Sequence, residues 1–60
     1  MLYDKIKAVA EQKKIPISKI EKDCELQQGS IGHWNKNKPS YDKLVSVAKY
    51  LNVTVEEIVG

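Results

Sequence analysis

The stretch ISKIEKDCELQQGSIGHW, residues 17–34, decides how this chain is read. Ile17, Ile20 and Cys24 recur at spacings of three and four, the period of one helix face. Glu25-Leu26-Gln27 breaks the pattern, and Ile31 and Trp34 resume it three residues apart. The spacing predicts a short helix over residues 17–24, a tight break, and another short helix over residues 28–35. Two start signals compete at the front. Pro16 marks entry at Ile17, whereas Ser18-x-x-Glu21 reads as a capping box two residues later; the earlier start is favoured. Gln28, Gly29, Gly32 and His33 are left facing outward. Two glycines in so short a helix cost roughly 2 kcal/mol against alanine, so they mark either close approach to another surface or a loose helix.

The flanks are helical as well. Upstream, Ile6, Val9, Ala10 and the alkyl stem of Lys13 follow the i, i+3, i+4, i+7 rule, with Leu2 and Tyr3 extending the stripe. That predicts a first helix over residues 3–14, with Asp4 and Lys13-Lys14 suiting its dipole and Pro16 closing it. Downstream, residues 35–39 form a polar loop and Ser40 caps a helix over residues 41–51. Its inward face is Leu44, Val47, Ala48 and Leu51, and Asn52 ends it in the left-handed conformation. Thr54-Val55-Glu56-Glu57 opens a last short helix ending near Val59. The expected architecture is all-α, five short helices in one domain over residues 1–60.

Composition excludes several classes. Sixty residues hold one small domain, and such a chain buries only ~60% of the surface it exposes unfolded. The longest apolar runs are three residues, far below the ~20 of a bilayer span or the ~7–15 of a signal-peptide core. One cysteine, Cys24, makes no internal disulfide, and with one histidine it makes no zinc site. The setting this points to is a reducing cytoplasm. Ten Lys against eight acids leave +2, with no Arg. Residues 27–50 carry +3 of this through Lys36, Lys38, Lys43 and Lys49 against Asp42, while residues 51–60 carry −2. A Lys-rich surface of this size is either simply solvated or a binding patch.

Two short helices joined by a tight turn match a helix-turn-helix, whose second helix enters the DNA major groove. From Ile6 to Val59, about nine-tenths of its length, the chain resembles the lambda-repressor and Cro-like helix-turn-helix family of phage and bacterial transcription regulators. The similarity is carried by Ile6-Lys7-Ala8-Val9, by residues 17–22, by Gly29-Ser30-Ile31-Gly32-His33-Trp34, and by residues 39–44, 47–53 and 56–58. It is greatest to the Gram-positive and phage branch, with Trp ending the recognition helix and a short loop to Pro39-Ser40.

The resemblance implies a sequence-specific double-stranded DNA-binding domain of a transcriptional repressor, with its motif over residues 17–35. Gln27, Gln28, Gly29 and His33 stand at the base-contacting positions. A glutamine there can pair with adenine N6 and N7, at ~1–3 kcal/mol of discrimination. Ser30, Lys36, Asn37, Lys38 and Lys43 stand where phosphates are gripped, which orients the protein without reading sequence. A homodimer is implied, with half-sites ~34 Å apart, and the surplus apolar residues Val53, Val55, Ile58 and Val59 offer the contact. The chain departs from the family at Glu25, where the turn usually carries glycine, and at Ile17, which replaces the Gln that opens the second helix. Its loop from Trp34 to Pro39 is short and lacks the common acidic-Asn-Gly sequence.

Ordinary readings stand beside these. Trp34, three residues after Ile31, is a core residue rather than a base-stacking platform. Cys24 on an apolar face is a small hydrophobe, and Glu21, Asp23, Glu25, Glu56 and Glu57 read as solvated faces. Gly29-Ser30-Ile31-Gly32 fits the GXXG of an RNA-clamping KH domain, but that fold needs strands. No catalytic constellation, cofactor motif or metal-ligand cluster is present in the sequence. The alternative function is a protein-interaction module, such as an antitoxin or adaptor, which the absence of Arg and the mild charge favour slightly.

Overall fold

In the computed structural model, which describes residues 1–59, every regular element is helical. Helix α1 spans Leu2–Gln12, α2 Ile17–Asp23, α3 Tyr41–Leu51 and α4 Val55–Val59. Between α2 and α3 lies a single 3₁₀ turn, Ile31–His33. No strand occurs among the described residues, and none of their helices is long and apolar enough to cross a membrane.

The apolar stripes meet in one core of Ile6, Ala10, Ile20, Ile31, Trp34, Val47, Ala48, Leu51 and Ile58. Each wholly buried aliphatic side chain contributes roughly 1.5–3 kcal/mol by leaving water. Helix α4 packs on both α1 and α3, and α1 also touches the 3₁₀ turn. Leu44, Val9, Ile17 and Cys24 pack around the rim, half-buried. Trp34 is buried, as its spacing predicts. Lys13 is exposed because α1 ends one residue before it.

Three helices end in the same way. Past α1, the Lys14 N–H donates to Glu11 O and the Ile15 N–H to Ala10 O, with Lys14 at φ 59°. Past α2, Glu25 donates to Lys22 O and Leu26 to Glu21 O, with Glu25 at φ 59°. Past α3, Asn52 donates to Lys49 O and Val53 to Ala48 O, with Asn52 at φ 60°. This paired bonding around a left-handed residue is the Schellman motif. An apolar residue, Ile15, Leu26 or Val53, follows each left-handed one and packs against the core. So α1 is stopped by this turn at Lys14, two residues before Pro16, and Glu25 adopts a left-handed geometry, as expected at that turn.

The starts differ more from expectation. Helix α2 begins at Ile17, the earlier of the two candidate sites, and neither Pro16 nor Ser18 caps it through a side chain. Helix α1 is capped from a distance, since the Tyr3 N–H donates to Asn35 Oδ1 at 2.8 Å while Asn35 Nδ2 reaches Asp4 at 3.4 Å. Ser40 Oγ accepts from the Lys43 N–H, and Thr54 Oγ1 from the Glu57 N–H, at the two predicted caps.

The largest correction concerns residues 28–35. Of the five expected helices, four are α-helices; the third is three residues of 3₁₀ turn flanked by irregular turns. Gly29 at φ 88° lies outside the right-handed helical region, so no α-helix can run through it. Ile58 is corrected too: it is wholly buried in the core and offers nothing to a partner. Of the other three residues expected at that contact, Val59 is exposed and Val53 and Val55 are half-buried.

Candidate nucleic-acid interface

Two ends of chain bound the site: the segment leaving α2 and the loop entering α3. Gln27, Gln28, Gly29, Ser30, His33, Asn37, Lys38 and Lys43 line one open cleft of about 420 Å³, floored by Trp34 and Pro39. These are eight of the nine residues that sequence reasoning assigned to base and phosphate contacts. The ninth, Lys36, is exposed on the turn after Trp34 and does not line the cleft. Along the chain, the glutamines, Gly29, Ser30 and His33 come to the cleft from before Trp34, and Asn37, Lys38 and Lys43 from after it.

The wall holding the glutamines is shaped by short-range bonds of the 3₁₀ type. Ser30 N–H donates to Gln27 O at 3.0 Å, His33 to Ser30 O at 3.1 Å, and Trp34 to Ile31 O at 3.0 Å. The Gly29 and Ile31 amides are instead taken by the carboxylate of Glu21 on α2, at 2.9 and 3.0 Å. Glu21 is only 2% exposed. The expectation of a solvated Glu21 therefore fails, and so does the capping box with Ser18, because both carboxylate oxygens are engaged across the turn. No local pattern marked Glu21 for this role, since its two amide partners lie eight and ten residues along the chain. Ser30 Oγ is buried with no hydrogen-bond partner among the described residues.

Gln28 also lines a neighbouring shallow cleft with Ser18, Lys19, Lys22 and Asp23, so cations flank the glutamines on the α2 side as well. Lys19 pairs with Asp23 at 3.2 Å. Asp23 also accepts from the Tyr50 hydroxyl, which ties the end of α2 to α3. That hydrogen bond, followed by the Lys19 contact, holds the Asp23 carboxyl below its usual range. The same hydrogen bond, followed by burial, pushes the Tyr50 phenol up to about 12. Cys24 lies nearby, its thiol donating weakly to Ser46 O at 3.8 Å. Burial, then the Asp23 charge, pushes its pKa up, the opposite of what a nucleophile requires.

An apolar groove adjoins the cleft across the Lys38-Pro39 strip. It is lined by Met1, Leu2, Trp34, Asn35, Leu44 and Val59 together with Lys38 and Pro39. Met1 is 71% and Val59 50% exposed, so apolar surface is open to solvent at this edge. Compared with models of protein families, with curated proteins and with solved structures, the chain matches none.

Proposed function

We propose that this chain is a sequence-specific double-stranded DNA-binding domain of a cytoplasmic transcriptional regulator, acting as a repressor in the manner of the helix-turn-helix proteins it resembles. The observation that carries the reading is the convergence of Gln27, Gln28, Gly29, Ser30, His33, Asn37, Lys38 and Lys43 on one open polar cleft. In this reading α2 braces the cleft wall, and the Gln27–Ser30 turn with the 3₁₀ turn presents Gln28 and His33 to base edges. The amide fork of Gln28 pairs with adenine, and Lys38, Lys43 and Asn37 hold phosphates. Gly29 has no Cβ, which lets the backbone approach the groove closely.

One such module makes few base contacts, so two copies on one operator complete the reading. The apolar groove around Met1, Leu2, Leu44 and Val59 supplies the contact between them, in place of the buried Ile58. Val59→Asp places a charge there while leaving the core alone. Its expected effect is lower cooperativity and weaker operator binding, read by sedimentation and gel shift; unchanged behaviour in both sinks the dimer contact. The same groove is the one observation favouring a protein-interaction module, whose duplex binding would lack a steep salt dependence.

The experiment that tests the function is in vitro selection of the purified chain on a random duplex library at near-physiological salt. Enrichment of a palindrome with half-sites about one helical turn apart supports it. Retention without enrichment overturns sequence reading.

A further inference from the structure

Residues 27–33 cannot hold their own shape. Their backbone bonds span three residues only, and the amides of Gly29 and Ile31 find no carbonyl within the segment. Both donate to the two oxygens of one carboxylate, Glu21, which is buried on α2 beside the wholly buried Ile20. Gln28 and Ser30 alternate with these two pinned amides, and His33 follows one turn on. The position of each side chain on the cleft wall is thereby fixed relative to α2 by Glu21. Left without that acceptor, two amides in a partly dry site would seek new partners, and the segment between them would move.

We infer that Glu21 is a positioning residue for base recognition, separating specific from non-specific DNA binding; this rests on the DNA-binding reading above. It touches no base. It fixes Gln28 and His33 in one register through the two amides its carboxylate holds. That register acts on the ratio between the right sequence and any other. The phosphate-gripping side chains Asn37, Lys38 and Lys43 line the same cleft and make no hydrogen bond to Glu21, although the Asn37 N–H donates to His33 O at 2.8 Å.

The test compares the unaltered chain with Glu21→Gln, a substitution of the same shape that keeps one acceptor oxygen and loses the charge. Each is titrated with the duplex enriched by selection and with a scrambled duplex of equal length and composition. Folding is followed by circular dichroism. The expected result is a loss of tenfold or more in affinity for the enriched duplex, with scrambled-duplex affinity unchanged or raised. The dependence on salt should keep the same slope, since the phosphate contacts are intact. A parallel fall on both duplexes, tracking the folded fraction, means that Glu21 only holds the fold, and overturns the inference. So does equal affinity of the two proteins for the enriched duplex. Should the variant not fold, amide hydrogen exchange of the unaltered chain decides. Gly29 and Ile31 amides exchanging as fast as those of an unstructured peptide overturn the inference, and slow exchange that persists on the enriched duplex supports it. If the unaltered chain enriches no sequence, it is the DNA-binding reading that falls, and the role given to Glu21 falls with it.

Discussion

Helix α3, through Lys43, and the segment from Gln27 to Trp34 line the same cleft, yet they are built on different principles. Helix α3 carries its instructions within itself: Ser40 caps the start, Leu44, Val47, Ala48 and Leu51 give a helical stripe, and Asn52 closes the end. Its limits agree with expectation residue for residue. Residues 27–34 have two inward side chains, Ile31 and Trp34, and two glycines, of which Gly29 is left-handed. The amides of Gly29 and Ile31 are satisfied by Glu21, eight and ten positions away. One element is specified locally and the other by a neighbour. A wall held from outside need not be helical, which leaves its side chains free to be set by that neighbour rather than by a 3.6-residue period.

The largest effect should come from removing the outside support. Glu21→Ala strands two buried or part-buried donors, at about 1–3 kcal/mol each, whereas Ser40→Ala removes one exposed cap at about 1 kcal/mol. Urea midpoints measure both, and equal losses would erase the distinction between the two segments. Next come the glycines. Gly29→Ala forces a side chain into φ 88° and should cost about 1–2 kcal/mol. A Cβ at Gly32 meets nothing within 4 Å and its φ is not positive, so Gly32→Ala should be neutral or stabilise by up to about 1 kcal/mol. If both variants lost stability alike, the segment would be a frayed helix rather than a pinned turn.

A smaller effect sharpens the comparison at the helix ends. Glu25 and Asn52 share one left-handed geometry, but only asparagine adopts it readily. Glu25→Gly should therefore raise stability by about 0.5–1 kcal/mol, a few degrees in melting temperature for a domain of this size. An unchanged or lower melting temperature would remove that strain argument. The smallest effect concerns the exposed tie between α2 and α3. The folded Asp23 pKa is lowered, so its contribution is present above the ordinary carboxylate range and fades as pH falls through the folded value. Tyr50 is raised to about 12, so its contribution is present below pH ~10 and is lost as pH climbs toward 12. Tyr50→Phe removes the hydrogen bond, and its melting temperature should approach the unaltered chain's at both extremes. A gap independent of pH would point to packing instead.

What could be read from the residues, and what could not, divides along the same line. Periodicity and caps made α3 and α4 legible, and the left-handed Asn52 and Glu25 were visible as an asparagine and as a residue standing in a glycine's place. Lys14 was missed because Pro16 offered a nearer-seeming reason for the stop, although Lys14-Ile15 has the same form as Glu25-Leu26 and Asn52-Val53. The cleft residues were named individually from the resemblance. Lys36 alone fell outside the cleft, since the turn after Trp34 carries it away.

By itself the sequence determined the all-helical class, the inward stripes and most helix ends, because these depend on groups within four or five residues of one another. Tertiary structure alone decided three things. Residues 28–35 became a turn because Glu21, distant in sequence, offers their amides a better acceptor than a strained helix would. Asn35 caps α1 from thirty-two residues away. Ile58 went inward because α4 is held between α1 and α3, and an apolar side chain placed there leaves water. In each case the deciding partner is remote along the chain and near in space, and a local pattern carries no record of such a partner.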